Sequence, residues 1–290
     1  MSVYIQDHET TIRLCAFLGI FAAMALWEIR SPRRERHFSR LQRWSGNLGI
    51  VVINTLLLRL LFPTAAVGMA AFTTQQGWGL MNSIDLPVWL EVLASFILLD
   101  LVIYLQHVMV HAVPVLWRLH RVHHADPEYD LTTGARFHPI EIILSMLIKI
   151  TTIAALGPPV VAVILFEVVL NGMAMFNHGN VRLPDGLDRA LRWLVVTPDM
   201  HRVHHSTEPD ETNSNFGFNL SLWDRLMGTY RAEPRLGQTA MQIGIMSLQD
   251  PRMTTRLDGM LRIPFLQLKE QYAINQRSWD GKKSEGDSRS

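Results

Sequence analysis

The chain has 290 residues, of which 48% are apolar and only 18% charged, and its formal net charge is +1. A charged fraction below the usual quarter argues against an ordinary soluble domain, and a near-zero net charge removes any bulk electrostatic case for nucleic acid. The single cysteine, Cys15, rules out an intrachain disulfide framework, thiolate zinc sites and cysteine-held iron–sulfur clusters, so any metal must be held by nitrogen and oxygen.

A membrane-crossing helix needs about 20 apolar residues, because each adds about 1.5 Å across a hydrocarbon core of roughly 30 Å. LCAFLGIFAAMALWEI (14–29) is slightly short of that, and the acidic residues before it and the lack of a small-residue cleavage site argue against a signal peptide. The stretch 48–72 is long enough although it contains Arg59, and 86–106 spans while carrying Glu91 and Asp100. Two further apolar runs, 140–157 and 158–176, meet at Gly157-Pro158-Pro159, which predicts a turn between two helices. Between the first two spans lies RSPRRERHFSRLQR, with Arg30, Arg33, Arg34, Arg36, Arg40 and Arg43. The positive-inside rule puts this loop in the cytoplasm and the N-terminus outside. Alternating crossings then bring all the histidine clusters, and the C-terminus, to the cytoplasmic face. The residues after 179 contain no further spanning run. The amphipathic stretch 253–271 either lies on the membrane surface or docks as an ordinary helix, and 275–290 reads as a disordered tail.

Ten of the twelve histidines fall between residues 107 and 205. They are His107 and His111; His120, His123 and His124; His138; His178; and His201, His204 and His205. The pentapeptide HRVHH occurs twice, at 120–124 and 201–205, yet its flanks do not repeat, so duplication of a whole structural unit does not explain it. Spacings of three and four residues place each cluster on one helix face. Convergent imidazoles suit iron, zinc, copper or nickel. Because one ion takes four to six ligands, ten histidines point to two ions rather than one. Neither the Glu-x-x-His pairs of soluble di-iron bundles nor the His-Glu-x-x-His string of zinc proteases occurs.

The order HxxxH, HxxHH, a lone histidine and a final HxxHH resembles the fatty acid hydroxylase/sterol desaturase superfamily of membrane di-iron oxygenases. The resemblance covers roughly residues 95–232, including LLDLVIYLQHVMVHAVPVLWRLHRVHHADPEYDLTTGARFHPIE, MFNHGNVRLP and TPDMHRVHHSTEPDETNSNFGFNLSLWDRLMGTY, and looks like a bacterial member's core. It implies an all-α polytopic membrane bundle of four or five spans, or spans plus a hairpin, capped by cytoplasmic helices that hold a histidine-rich two-metal site. Residues 1–94 would be the N-terminal spans and basic loop, 95–232 the catalytic unit, and 233–274 the amphipathic C-terminal segment. Carried over residue by residue, His107, His111, His120, His123, His124, His201, His204 and His205 match the catalytic motifs, and His178 matches the intermediate histidine. His138 matches a motif of the sterol-desaturase-like branch, as a ligand or as a residue that holds one. Some members have a histidine four residues before the intermediate one; here that position is Ala174, and Asn177 or Asn180 is the candidate to fill the gap.

The resemblance further implies two iron ions, O2 as co-substrate, a lipid substrate entering from the bilayer, and hydroxylation of one of its C–H bonds. No bound haem, flavin or nicotinamide is expected. Electrons would come from an external cytochrome b5-like, ferredoxin-like or reductase partner, and a bacterial inner membrane would be the location. Desaturation on the same scaffold, a non-redox membrane zinc enzyme and a catalytically silent scaffold are the alternatives. Among other residues, Asp100 either orients an imidazole or pairs with Arg118, Glu141 is placed to accept from His138, and Glu167 lines a cavity or pairs internally. Arg121 and Arg202 pair with acids or lipid phosphate, and Asn213 and Asn215 sit in a segment that packs beneath the metals.

Overall fold

A computed structural model describes residues 8–268 and 272–274. The described residues are helical, with two isolated β-bridges and no strand. Among the described residues, five segments are long and apolar enough to cross a membrane: Glu9–Arg30, Arg40–Ser83, Val88–Ala112, Pro139–Leu156 and Val160–Asn177. The first is one helix, α1 (Glu9–Arg30); the second is broken into α2 (Arg40–Leu61) and α3 (Ala65–Gln76). The break falls at Phe62-Pro63-Thr64, where proline has no N–H to continue the helical ladder. The span expected at 48–72 therefore begins earlier than its apolar run suggests. Ser39 caps α2 by accepting from the Gln42 amide at 3.2 Å, which extends that helix back into the basic stretch.

The other spans are α4 (Val88–Ala112), α6 (Pro139–Leu156) and α7 (Val160–Asn177), with the short α5 (Pro114–His124) directly after α4. The α6–α7 turn lies where the Gly-Pro-Pro signal puts it. Gly157 adopts φ 60°, and a Cβ there would stand 2.2 Å from the Trp78 carbonyl oxygen. Only glycine permits that approach. The Leu80 amide donates to Ala155 at 3.0 Å, so the end of the α2–α3 segment meets the hairpin tip. Ala66 and Ala70 of α3 pack with Leu99, Ile153, Val163 and Phe166. In lipid, helix association rests on such close packing and on polar pairing rather than on hydrophobic burial. One polar group of this kind is Glu167, which pairs with Lys149 at 2.9 Å and Arg13 at 3.1 Å.

At the opposite end, Glu28 of α1, Arg43 of α2, His107 and His111 of α4, Glu141 of α6 and Asn177 of α7 gather around the loop that follows α5. Glu28 accepts from the Leu131 and Asn180 amides, both at 2.8 Å. Arg43, fully buried, forks onto Asp126 with bonds of 2.9 and 2.7 Å and also reaches Asp130 and Glu128. The five spans thus alternate in direction, and every histidine cluster lies at one face of the bundle. Two short helices, α8 (Asp185–Leu191) and α9 (Pro198–His204), complete the cap.

The stretch 253–271 does not form one amphipathic helix. It breaks into Pro251–Thr254, Leu257–Arg262 and a 3-10 turn at Ile263–Phe265 containing Pro264. Met260 and Ile263 bury against Ile50, Trp117 and Val122, so this segment docks onto α2 and α5. Residues 269–271 and the tail 275–290 lie outside the described residues.

Candidate metal centre

The sequence builds the centre from helix ends. α4 carries His107 and His111 one turn apart on its buried face. Pro114, at the first position of α5, starts a new helix at once, and this helix ends in His120, His123 and His124. Pro198 likewise opens α9, which ends in His201 and His204, with His205 as its C-cap. His178 is the C-cap of α7. All nine of these side chains are buried.

They fall into two groups: His107, His111, His120, His124 and His204 in one, and His123, His178, His201 and His205 in the other, with the ligand atoms of each group within 4.8 Å of one another. The two copies of HRVHH contribute reciprocally. In the first copy the i, i+4 pair (His120, His124) belongs to the five-membered group and His123 to the four-membered one. In the second copy the i, i+4 pair (His201, His205) belongs to the four-membered group and His204 to the five-membered one.

Partners at Nδ1 fix which way several rings face. His107 donates to the Phe216 carbonyl at 2.8 Å, His204 to the Ser214 carbonyl at 2.8 Å, and His178 to the Ala174 carbonyl at 2.8 Å. His120 donates to Glu141 Oε1 at 2.6 Å and His111 to Asn213 Oδ1 at 3.1 Å. Asn213 is itself oriented, because its Nδ2 donates to the Pro209 and Tyr272 carbonyls. Each such bond places the proton on Nδ1 and leaves the Nε2 lone pair free to bind metal.

The donor set fits two metal ions. Nε2 atoms of His111 and His124 stand 3.1 Å apart, and Nε2 of His178 stands 3.2 Å from those of both His123 and His201. Ligands about 2.0–2.1 Å from one ion and at right angles would have donor atoms ~3 Å apart. A hydrogen bond accounts less well for His178, whose one Nε2 lone pair faces two neighbours. Nε2 of His107, His120 and His204 and both ring nitrogens of His205 are buried without a hydrogen-bond partner. Burial holds the imidazoles of His123, His124, His201 and His205 well below their usual pKa, and those of His178 and His204 at about 3. Closely packed imidazoles with buried, unpaired nitrogens would be costly, and metal ions relieve that cost. Aromatic rings close the site: Phe137 stacks on His123 at 4.6 Å, Trp117 lies 4.8 Å from His111, and Tyr129 stacks on His178 at 5.5 Å.

Residues 92–229, which hold all of these histidines, match the fatty acid hydroxylase family. Over that stretch, a little under half of the chain, the sequence is similar to the fatty acid hydroxylase/sterol desaturase superfamily. Among its relatives is the ornithine lipid hydroxylase of Rhizobium tropici, 30% identical over 159 residues that make up 55% of this chain and 46% of that protein. Another is the alkylglycerol monooxygenase of Xenopus tropicalis, 30% identical over 167 residues, 54% of this chain and 34% of that one. A third is methylsterol monooxygenase 2-2 of Arabidopsis thaliana, 27% identical over 188 residues, 63% of this chain and 70% of that one. The chain spans less than half the length of the first two. No solved structure matches it at a significant level.

Within this fatty acid hydroxylase domain several residues stand elsewhere than the sequence suggests. His138 lies in neither donor group; it caps α6, its Nδ1 accepting from the Ile140 amide at 3.2 Å. Pro139 at the first helical position favours that capping role. Glu141 serves His120 and not His138. Asp100 neither orients a histidine nor pairs with Arg118: it accepts from Trp223 Nε1 at 2.8 Å and the Leu220 amide at 3.2 Å. Arg118 donates instead to the Pro264 carbonyl. Asn180 is committed to the backbone of Arg34 through both side-chain ends, whereas Asn177 donates through Nδ2 to the Phe218 carbonyl and keeps its buried Oδ1 without a hydrogen-bond partner. The backbone carbonyl of Ala174, not its side chain, steers His178.

The arginine and valine of HRVHH face away from the imidazoles. Arg121 donates to the Leu266 carbonyl at 2.6 Å, whereas Arg202 pairs with Asp199 and donates to Gln238 and the Gly179 carbonyl. Val122 and Val203 are completely buried. Each copy therefore presents metal donors on one side and ties neighbouring segments on the other.

Among the described residues, Glu141 is the one acidic side chain bonded to a donor-group imidazole. Replacing it with alanine is expected to lower metal affinity by roughly 10–100-fold, the usual consequence of losing such a partner. Glu141→Gln, which keeps an acceptor, should fall between the two, as read by metal retained per chain after competition with a chelator.

Proposed function

We propose that this chain is a membrane-bound lipid hydroxylase in which the five-histidine and four-histidine groups each hold one iron ion. The carrying observation is the convergence of nine buried imidazoles in two adjacent groups whose free nitrogens face inward. Its named relatives, which act on an ornithine lipid, alkylglycerols and methylsterols, support lipid as the substrate class. The overall change is RH + O2 + 2e⁻ + 2H⁺ → ROH + H2O.

Bound iron would supply O2 activation. The protein's own residues hold and shield it. The Phe216, Ser214 and Ala174 carbonyls, Asn213 and Glu141 fix the imidazoles. Phe137, Trp117 and Tyr129 keep bulk water from the centre, as an oxidant strong enough for an unactivated C–H bond requires. A separate donor on the aqueous side provides electrons. The basic segment 30–43 lies at the histidine face, which supports a cytoplasmic position for that face in a bacterial inner membrane.

Two measurements on the full chain test this reading. Protein from iron-replete cells should contain two irons per chain, and stoichiometric zinc without iron would count heavily against it. Lipids from cells with and without the gene should differ by one added oxygen; a difference of two hydrogens would assign desaturation instead.

A further inference from the structure

Four side chains along one face of α4 grip the segment 213–229. Asp100 accepts from Trp223 Nε1 and the Leu220 amide, Tyr104 Oη lies 2.9 Å from Thr229 Oγ1, His107 donates to the Phe216 carbonyl and His111 to Asn213. Inside that segment stands Asp224, fully buried. Its Oδ1 accepts from the Phe216 amide and Thr229 Oγ1, both at 2.7 Å, and its Oδ2 from the Gly217 amide at 2.8 Å. The Gly217 N–H and the Phe216 C=O belong to one peptide group, and that C=O accepts the His107 Nδ1 proton at 2.8 Å. One amide thus connects a buried carboxylate to a donor-group imidazole. Gly217 permits the approach, since a Cβ there would stand 2.6 Å from Asp224 Oδ2. Burial pushes the Asp224 pKa up to about 6 against the pull of its three bonds, so above that pH the group is mainly ionised. Arg225 beside it turns away to the Arg192 carbonyl and the Trp193 and Tyr230 rings, and among the described residues Asp224 has no ion-pair partner.

We propose that Asp224 is a positioning residue for the metal centre, delivering its negative charge to His107 through the Phe216–Gly217 peptide, an inference that rests on the two-ion hydroxylase reading above. A carboxylate that accepts from a peptide N–H strengthens the bond accepted by the C=O of the same peptide, because the amide polarises as a unit. His107 therefore faces a more negative oxygen than an ordinary carbonyl. That fixes its ring and makes its Nε2 the stronger donor. Glu141 acts on His120 by direct contact, whereas Asp224 acts on His107 at one remove. Both histidines belong to the five-histidine group, so both carboxylates direct their charge to the same set of donors. A buried carboxylate with no cation beside it is costly, and loading the five-histidine group offsets that charge.

The test loads metal-free full-length protein in detergent with Co(II), which requires no turnover. One readout is the Co(II) retained against a chelator. The other is the set of exchangeable imidazole N–H resonances shifted by the paramagnetic ion, those of His107 and His178 being identified by their loss in His107→Ala and His178→Ala. Asp224→Asn keeps the shape of the side chain but removes the charge behind the peptide. It should weaken retention of one of the bound Co(II) ions roughly ten-fold. It should also move the His107 resonance and speed its exchange, while leaving that of His178 in place. Asp100→Asn is the control, because it loosens the same segment without touching the peptide behind His107, and its His107 resonance should match the wild type. Should Asp224→Asn not fold, Gly217→Ala takes its place, since the added methyl drives the carboxylate off that peptide. An unmoved His107 resonance with wild-type retention overturns the proposal, and so does an equal change in Asp100→Asn. The expected shifts in a protein whose iron-loaded form oxidises no lipid would sink only the hydroxylase reading. Lipid oxidation with an unmoved His107 resonance would sink only this one.

Discussion

Alanine in place of His123 or of His204 is expected to abolish lipid oxidation, with turnover falling by roughly 10³-fold or more, the scale seen when one member of a catalytic unit is removed. The two substitutions address different donor groups, since His123 belongs to the four-histidine group and His204 to the five-histidine group. His123 should be the more damaging for metal content, because its group falls to three donors while that of His204 retains four. Neither residue lies in a spanning segment, so the variants should still insert and resist proteolysis as the wild type does. Metal per chain and oxygen incorporation, measured on the same preparation, check both halves of the expectation. Wild-type turnover in either variant would remove the two-ion reading.

Arg43→Met is expected to cost stability more than any surface change. Its guanidinium is fully buried and compensates Asp126, Glu128 and Asp130 on the loop between α5 and α6. Removing one partner of a buried ionic group costs about 3–5 kcal/mol, because charge is left unpaired. That is a large share of the ~5–15 kcal/mol by which a folded protein is usually stable. Arg43→Lys should recover only part of the loss, since an ammonium cannot reproduce the two-pronged grip on Asp126. Acid sensitivity gives an independent readout. Burial alone would raise the Asp126 pKa, but Arg43 and Arg136 outweigh it and bring the group to about 2, below its ordinary 3.8. A depressed pKa contributes stability that is complete above the ordinary value and is lost as pH falls through about 2. Without Arg43 the Asp126 pKa rises, so the midpoint of acid unfolding in detergent should move to higher pH. An unchanged midpoint together with unchanged thermal stability would show that the network holds nothing.

Much of this was legible in the sequence because the signals were local. Apolar length marked the spans, Gly-Pro-Pro marked the hairpin tip, and the histidine spacings marked the helix faces. Relations between distant segments were harder to read. Arg43 reads as one more positive charge in a cytoplasmic loop, yet it sits inside the bundle beneath DPEYD, whose alternating acids were the available clue. Glu141 lies three residues from His138, and helical spacing suggested that pair. But His138 is the cap, not a residue within the helix, and Glu141 faces α5 instead. Backbone acceptors such as Phe216 and Ala174 have no side-chain signature at all. Segment 253–271 misled in a different way, because its amphipathic pattern is real while Pro264 prevents a continuous helix.

The reciprocal division of the two HRVHH copies has a consequence for assembly. Neither donor group is complete until α5 and α9 are both in place, since each helix supplies part of each group. In the two-ion reading, an ion that draws both helices into place for its own group would also ready the other group, a source of positive cooperativity. Partly loaded wild-type preparations are then expected to be enriched in chains with both ions or with neither. The repeated pentapeptide acts as an interlock, in which filling one site prepares the other.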